Sequence, residues 1–186
     1  KMGRGMQFVM AFGGATAAQK GPLWWAGHHR HHHKHSDQEL DVHSPKRGFW
    51  WSHMGWIVCT KWEGTPTEVM KNFEKFPELR FLNRHFLLAP VLLALFCLYF
   101  GGWGAVFGGF FVSTVIVYHG VFAGNSASHR FGTRRYATTD TSRNNWFLSL
   151  WTLGEGWHNN HHHYQRSSSS GFFWWETDIT YYILKM

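Results

Sequence analysis

The sequence predicts an all-α protein: an apolar helical hairpin integral to a membrane, carrying a histidine-rich helical cap on its cytosolic side that holds a dinuclear metal site. Three observations predict this. Phe86 to Tyr118 contains no charged side chain. The pair Gly101-Gly102 lies near the middle of that run. Two distant segments, His29-Arg30-His31-His32-His33 and His158-Asn159-Asn160-His161-His162, repeat the pattern H-x-x-H-H.

The apolar run comes first. At ~1.5 Å per residue, one helix of that length would overrun a hydrocarbon core of ~30 Å. Glycine permits a tight reversal, so the run reads as two spans, about 82–100 and 103–123, joined at Gly101-Gly102. Pro90 is compatible with a membrane helix. A hairpin returns the chain to the side it left. Both flanks are basic, with Lys46, Arg47, Lys61, Arg80 and Arg84 before the hairpin and Arg130, Arg134 and Arg135 after it, while the turn is uncharged. The positive-inside bias therefore puts both flanks, and every histidine cluster, in the cytoplasm.

The rest reads as one domain over 1–186. Residues 6–18 are moderately apolar and predicted helical, and 24–35 form the first histidine block. Residues 36–66 are broken by Pro45, Gly48, Gly55, Gly64 and Pro66. Thr67 is a candidate N-cap for a short amphipathic helix within 65–75. The Lys1-Met2-Gly3-Arg4 start is not followed by a signal-peptide pattern.

Composition excludes several classes. Aromatics make up 19 % of the 186 residues, far too many for a disordered chain. The net charge of +7 suits nucleic acid, anionic lipid or a phosphate-bearing substrate. Nucleic acid is rejected: there is no groove-reading helix or zinc-finger spacing. Cys59 and Cys97 are too few for a disulfide framework, which fits a reducing compartment.

The 15 histidines carry the chemistry. Residues i, i+3 and i+4 of a helix share a face, so His29, His32 and His33 can converge, as can His158, His161 and His162. By the same rule Asn125 and His129 share a face where the second span would end. Imidazole suits Fe, Zn, Cu and Ni. Seven such histidines exceed what one tetrahedral zinc needs, and two metals explain them better. The Glu plus Glu-x-x-His pattern of soluble di-iron bundles is missing. Asp37 and Glu155 are candidates to orient imidazoles from behind. His28, His31, His35 and His163 fall off the spacing and read as surface or supporting groups. His43, His53, His85 and His119 are isolated and read as structural.

These motifs resemble the membrane fatty acid desaturase family, in its bacterial acyl-CoA delta-9, stearoyl-CoA-like branch. His29-Arg30-x-His32-His33-Lys34, followed by Arg47-Gly48-Phe49-Trp50-Trp51-Ser52-His53, is similar to the family's second histidine box and its sequel. Asn125-Ser126-x-x-His129 resembles its extra ligand motif, and Gly154-Glu155-Gly156-Trp157-His158-Asn159-Asn160-His161-His162 its third box. The resemblance implies four membrane helices, a cytosolic cap and two irons. It assigns His29, His32, His33, His129, His158, His161 and His162 as ligands, with Asn125 acting through water. The first box, H-x-x-x-x-H, is expected ahead of Lys1 with the first two membrane helices. The chain is therefore expected to be cut short at both ends and to hold an incomplete ligand set.

The reaction implied is insertion of a cis double bond into a saturated fatty acyl-CoA, using O2 and an external donor, either ferredoxin with its reductase or a b-type haem protein. Lys61 matches a position near the CoA head. Arg30 and Arg47 are further phosphate candidates, and Trp25 is a candidate for the acyl tunnel. Zinc can replace iron at such nitrogen sites. The rival readings are a membrane di-iron alkane or lipid hydroxylase and a non-catalytic metal-binding remnant of a desaturase. The Asn125-to-His129 motif favours the desaturase.

Overall fold

The computed structural model describes residues 2–186. Helices dominate, as the sequence predicts. Among the described residues no strand forms, and only the isolated bridges Thr133 to Asn144 and Asn144 to Trp157 are sheet-like. Tertiary contacts divide the chain into two units, the residues up to His31 with Glu63–Tyr118, and His32–Trp62 with His119–Met186.

In the first unit, α1 (Arg4–Ala15) and the leading turns of α2 (Pro22–His35) join two short helices, α3 (Lys71–Glu74) and α4 (Pro77–Arg84). Leu23, Met70 and Leu79 form a small core, covered by Ala11, Phe73 and Phe76. Arg4 grips Glu78 through two hydrogen bonds of 2.5 and 2.7 Å. The expected cap at Thr67 does not form. Thr67 begins a 3-10 turn capped by Pro66 without a side-chain hydrogen bond, and the α-helix starts at Lys71.

The apolar run begins with α5 (Leu88–Ala105) and passes through a π-helical stretch, Val106–Val112, into α6 (Ser113–Asn125). Gly102 interrupts it with φ +63° and ψ −162°, a conformation open almost only to glycine. The chain folds back there. A Cβ built on Gly109 would lie 3.4 Å from Cys97 Sγ, whereas residues 97 and 109 of a continuous helix would be about 18 Å apart. The predicted first span, 82–100, straddles two helices: α4 ends at Arg84 and the apolar helix starts at Leu88. Leu82 is buried while Leu95, Phe96, Tyr99, Phe100, Trp103 and Phe107 are exposed. Leu88–His129 is the one described stretch long and apolar enough to cross a membrane.

The second unit holds the last turn of α2, the end of α6, a 3-10 turn at Ala127–His129, α7 (Trp146–Trp151), α8 (His158–His163) and α9 (Ile179–Lys185). Its interior is polar. Asn159 and Asn160 are wholly buried. Asn159 Oδ1 accepts the N–H groups of Arg135 and Tyr136 at 2.9 and 2.7 Å, and its Nδ2 donates to Tyr136 O at 3.2 Å. Asn160 Nδ2 donates to Glu176 Oε2 and Ser170 O, both at 2.9 Å, while its Oδ1 accepts from Asn144 Nδ2 at 2.7 Å. Buried polar groups must be satisfied, and here side-chain amides do what a sheet ladder does elsewhere. The Gly154-Glu155-Gly156 lead-in lets α8 start against α7, because a Cβ on Gly156 would collide with the backbone N of Ser149.

Candidate metal centre

α8 is helical across His158–His163, so His158 and His162 point from one face. His32 comes from the last turn of α2, and His129 from the 3-10 turn after α6. All four imidazoles are buried, and each offers a nitrogen within 4.8 Å of the others.

Three of the four are gripped from behind by a buried carboxylate. His32 Nδ1 lies 2.9 Å from Asp41 Oδ1, His162 Nδ1 lies 2.7 Å from Asp140 Oδ2, and His129 Nδ1 lies 3.3 Å from Asp37 Oδ1. A carboxylate accepts the Nδ1 proton and leaves the Nε2 lone pair facing inward, which is the tautomer a metal needs. The carboxylates are themselves fixed. Asp41 accepts the N–H groups of Asp37 and His43 at 2.9 and 3.2 Å. Asp140 Oδ1 accepts Ser142 N–H at 3.0 Å and the Thr138 hydroxyl at 2.9 Å. Asp37 Oδ2 accepts both the N–H and the hydroxyl of Thr141 at 2.5 and 2.6 Å. Asp37 sits at φ +60°, a left-handed conformation that costs energy outside glycine.

The protonation states follow. Burial, then the neighbouring His162 and His129, holds His158 well below an ordinary histidine. His161 is lowered to about 4 by burial and by His162. Burial lowers His162 although Asp140 opposes it. Burial works against ionisation of Asp140 and Asp37, but the hydrogen bonds from His162 and His129, with those from Ser142 and Thr141, outweigh it and hold both below the usual carboxylate range. Burial thus favours the neutral imidazole at His158, His161 and His162, while Asp37 and Asp140 are held ionised behind His129 and His162.

This arrangement fits a metal. His162 Nε2 is buried without a hydrogen-bond partner. His158 Nε2 and His129 Nε2 are 3.1 Å apart, close to the roughly 3.0 Å that separates two nitrogens each about 2.1 Å from one ion at a right angle. A second pair repeats the spacing, His33 Nε2 and His161 Nε2 at 3.0 Å.

Of the sequence-predicted ligands, six fall in these two groups. His29 lies in the first unit, half-buried and stacked on Trp25 with ring centroids 4.8 Å apart. It precedes His32 and His33 on α2 by three and four positions, so it shares their helix face. Asn125 is the last residue of α6, and the helix stops there. The expected continuous face with His129 is thus interrupted by the turn at Ser126, although His129 still reaches the quartet. Glu155, expected to orient an imidazole, is exposed. Asp37 fills that role, as expected, together with Asp41 and Asp140, which sequence reasoning missed. His43 is buried beside His32, ring centroids 4.1 Å apart, and its N–H helps hold Asp41. His53 donates to Ser126 Oγ at 2.8 Å, because that hydroxyl gives its own proton to Phe122 O.

Of the candidate substrate residues, Trp25 and Arg30 lie in the first unit and Arg47 and Lys61 in the second. Arg30 is engaged by Val69 O and Asn72 Oδ1 at 2.8 and 2.6 Å, over the Phe73 ring. Arg47 donates to Glu39 O and lies near Trp51. Lys61 is exposed over Trp62, and Trp25 is 40 % exposed.

The family model for fatty acid desaturases matches residues 2–182. The chain belongs to that family. This desaturase-family chain is similar to the sn-1 stearoyl-lipid 9-desaturase of Anabaena variabilis, with 40 % identity over 97 % of this chain and 67 % of that protein. It is 41 % identical to the sn-2 palmitoyl-lipid 9-desaturase of Nostoc sp. (strain 36), over 97 % of this chain and 65 % of that protein. It is 39 % identical to the acyl-CoA 5-desaturase AL21 of Anemone leveillei, over its whole length and 59 % of that protein. Across such relatives the chain spans 51–67 % of their length. The family expectation stands, while the narrower acyl-CoA delta-9 branch does not follow from relatives that include lipid-linked 9-desaturases and CoA-linked 5-desaturases.

Proposed function

We propose that this chain is the core of an enzyme that inserts a cis double bond into a saturated fatty acyl-CoA, with O2 as oxidant and electrons from a ferredoxin or b-type haem protein. The proposed ligands of its two irons are His29, His32, His33, His129, His158, His161 and His162, with Asn125 acting through water. The observation that carries this is the buried quartet with its carboxylate backing, in a chain of the desaturase family.

The irons, when bound, supply the oxidising power that unactivated C–H bonds require and no side chain has. The protein's own residues supply position. Asp37, Asp41 and Asp140 hold the Nδ1 protons of His129, His32 and His162, so these rings keep their orientation and present Nε2. Neutral imidazoles need lose no proton to bind a cation. Trp56 and Trp157, both buried in the same unit, help keep water out. In this reading the hairpin of α5 and α6 crosses the membrane, its exposed Phe, Leu and Trp side chains meeting lipid, and the basic flanks keep the histidines on the cytoplasmic side. Exposed Arg47 and Lys61 are the cations we assign to the CoA phosphates, with Arg30 as a further candidate and Trp25 along the acyl path.

The test measures iron per chain and the products formed from stearoyl-CoA and from a stearoyl lipid. An alkene from the CoA ester supports the proposal. An alkene from the lipid alone moves the head group, a hydroxylated chain replaces the reaction, and iron at trace level removes the centre.

A further inference from the structure

Where α4 ends and α5 begins, the first unit has a cavity of about 480 Å³. Arg84 and His85 form one part of its wall, and Phe81, Leu87, Leu88 and Val91 form the apolar part. These apolar side chains are open: Phe81, Leu87 and Val91 are each at least half exposed.

Two properties of this place together specify the chemistry of an occupant. The first is charge. Arg80 and Arg84 stand one turn apart on α4 and are both exposed. Neither makes a side-chain hydrogen bond or ion pair among the described residues. The acid on the same helix, Glu78, is taken by Arg4. The second is apolar surface, in a cavity whose lining runs from the cation directly onto the start of the hairpin. A soluble anion would satisfy Arg84 and leave Phe81, Leu88 and Val91 wet. A neutral lipid would cover them and leave the guanidinium without a partner. A molecule with one anionic head and an acyl tail satisfies both.

We propose that this cavity binds an anionic glycerophospholipid, its phosphate against Arg84 with Arg80 adding attraction, and an acyl chain along Phe81, Leu88 and Val91. The proposal rests on the reading that the hairpin lies in a membrane. It adds a structural lipid, separate from the acyl chain that reacts.

The experiment titrates the full chain, stripped of lipid in detergent, with phosphatidylglycerol against phosphatidylcholine and reads bound lipid by native mass spectrometry. One arginine at the membrane surface gives about a five-fold preference for the anionic lipid. R84Q should remove that five-fold factor and leave only what Arg80 adds. V91W fills the cavity with every charge in place and should lose it as well, with circular dichroism verifying that the helices persist. An unchanged preference in R84Q overturns the proposal. So does an unchanged preference in folded V91W, which would reveal general surface attraction, and so does displacement of phosphatidylglycerol by an equal concentration of palmitoyl-CoA, which would make the cavity part of the substrate site. The membrane reading fails separately, if the wild-type chain does not float with phosphatidylcholine vesicles.

Discussion

Asp140→Asn is the sharpest perturbation of the centre, because it keeps the shape of the side chain and changes what it offers. Asp140 Oδ2 takes the Nδ1 proton of His162 at 2.7 Å, and Oδ1 is committed to Ser142 N–H and the Thr138 hydroxyl. In D140N the amide oxygen must serve those two donors, which leaves the NH2 group facing His162. That group donates, so His162 turns to its other tautomer and its Nε2 carries the proton. A protonated Nε2 cannot bind a metal. A hydrogen bond to a charged group is worth about 1.5–3 kcal/mol. Loss of a partner behind a ligand costs about 10- to 100-fold in metal affinity, which is roughly 1.4–2.8 kcal/mol. The two estimates agree. The assay is anaerobic titration with iron(II) against a chromophoric chelator, on wild type, D140N and, as control, E155Q at an exposed acid. D140N should bind one metal equivalent 10- to 100-fold more weakly, and E155Q should match wild type. Wild-type affinity in D140N, within about two-fold, would refute the carboxylate argument, and a collapsed melting temperature in D140N would assign its loss to folding instead.

Other outcomes follow from the same structure. Cys97 and a cysteine introduced by G109C should form a disulfide on mild oxidation, seen as a mobility shift, since the two positions touch across the hairpin; no cross-link would mean a straight helix. Glu176→Ala strands Arg135, Asn160 Nδ2 and Phe172 N–H, all of which Glu176 accepts, and should cost about 3 kcal/mol in chemical denaturation; a change below about 1 kcal/mol would contradict its role. Because His161 is lowered from 6.5 to about 4, the unfolded chain binds more protons than the native one in between. Metal-free protein should therefore lose stability as pH falls from 6.5 towards 4 and be flat above 6.5, read by melting temperature; a flat profile through that window would contradict a neutral, half-buried His161. A preparation grown without added iron should carry zinc by metal analysis, and full iron occupancy would be the contrary result.

What can be read from the sequence is what repeats locally. The H-x-x-H-H spacing lies on helices in both places because i, i+3, i+4 is a helical signal that needs no tertiary context. Gly101-Gly102 marks the reversal because its backbone requirement is local as well. The parts missed depend on distant segments. Nothing periodic announces Asp140, whose place is set by a Thr138–Ser142 loop folded on its own side chains. Sequence alone starts the first apolar span too early because Leu82 looks like a lipid-facing leucine, yet it packs inside the first unit. Spacing alone puts Asn125 and His129 on one helix, and the break at Ser126 is invisible to that rule.

The bond from Thr141 to Asp37 joins residues 104 positions apart, and this sets a clock on assembly. A ribosome adding about 5–20 residues per second takes roughly 5–20 s to deliver Thr141 after Asp37. In the proposed reading, α2 presents His29, His32 and His33 for most of that interval before His129 arrives, and α8 follows later still. A cation that meets the nascent chain in those seconds finds a partial and unselective site. Correct loading must then wait for the C-terminal half, or an early ion must exchange out before the loop around Asp140 closes.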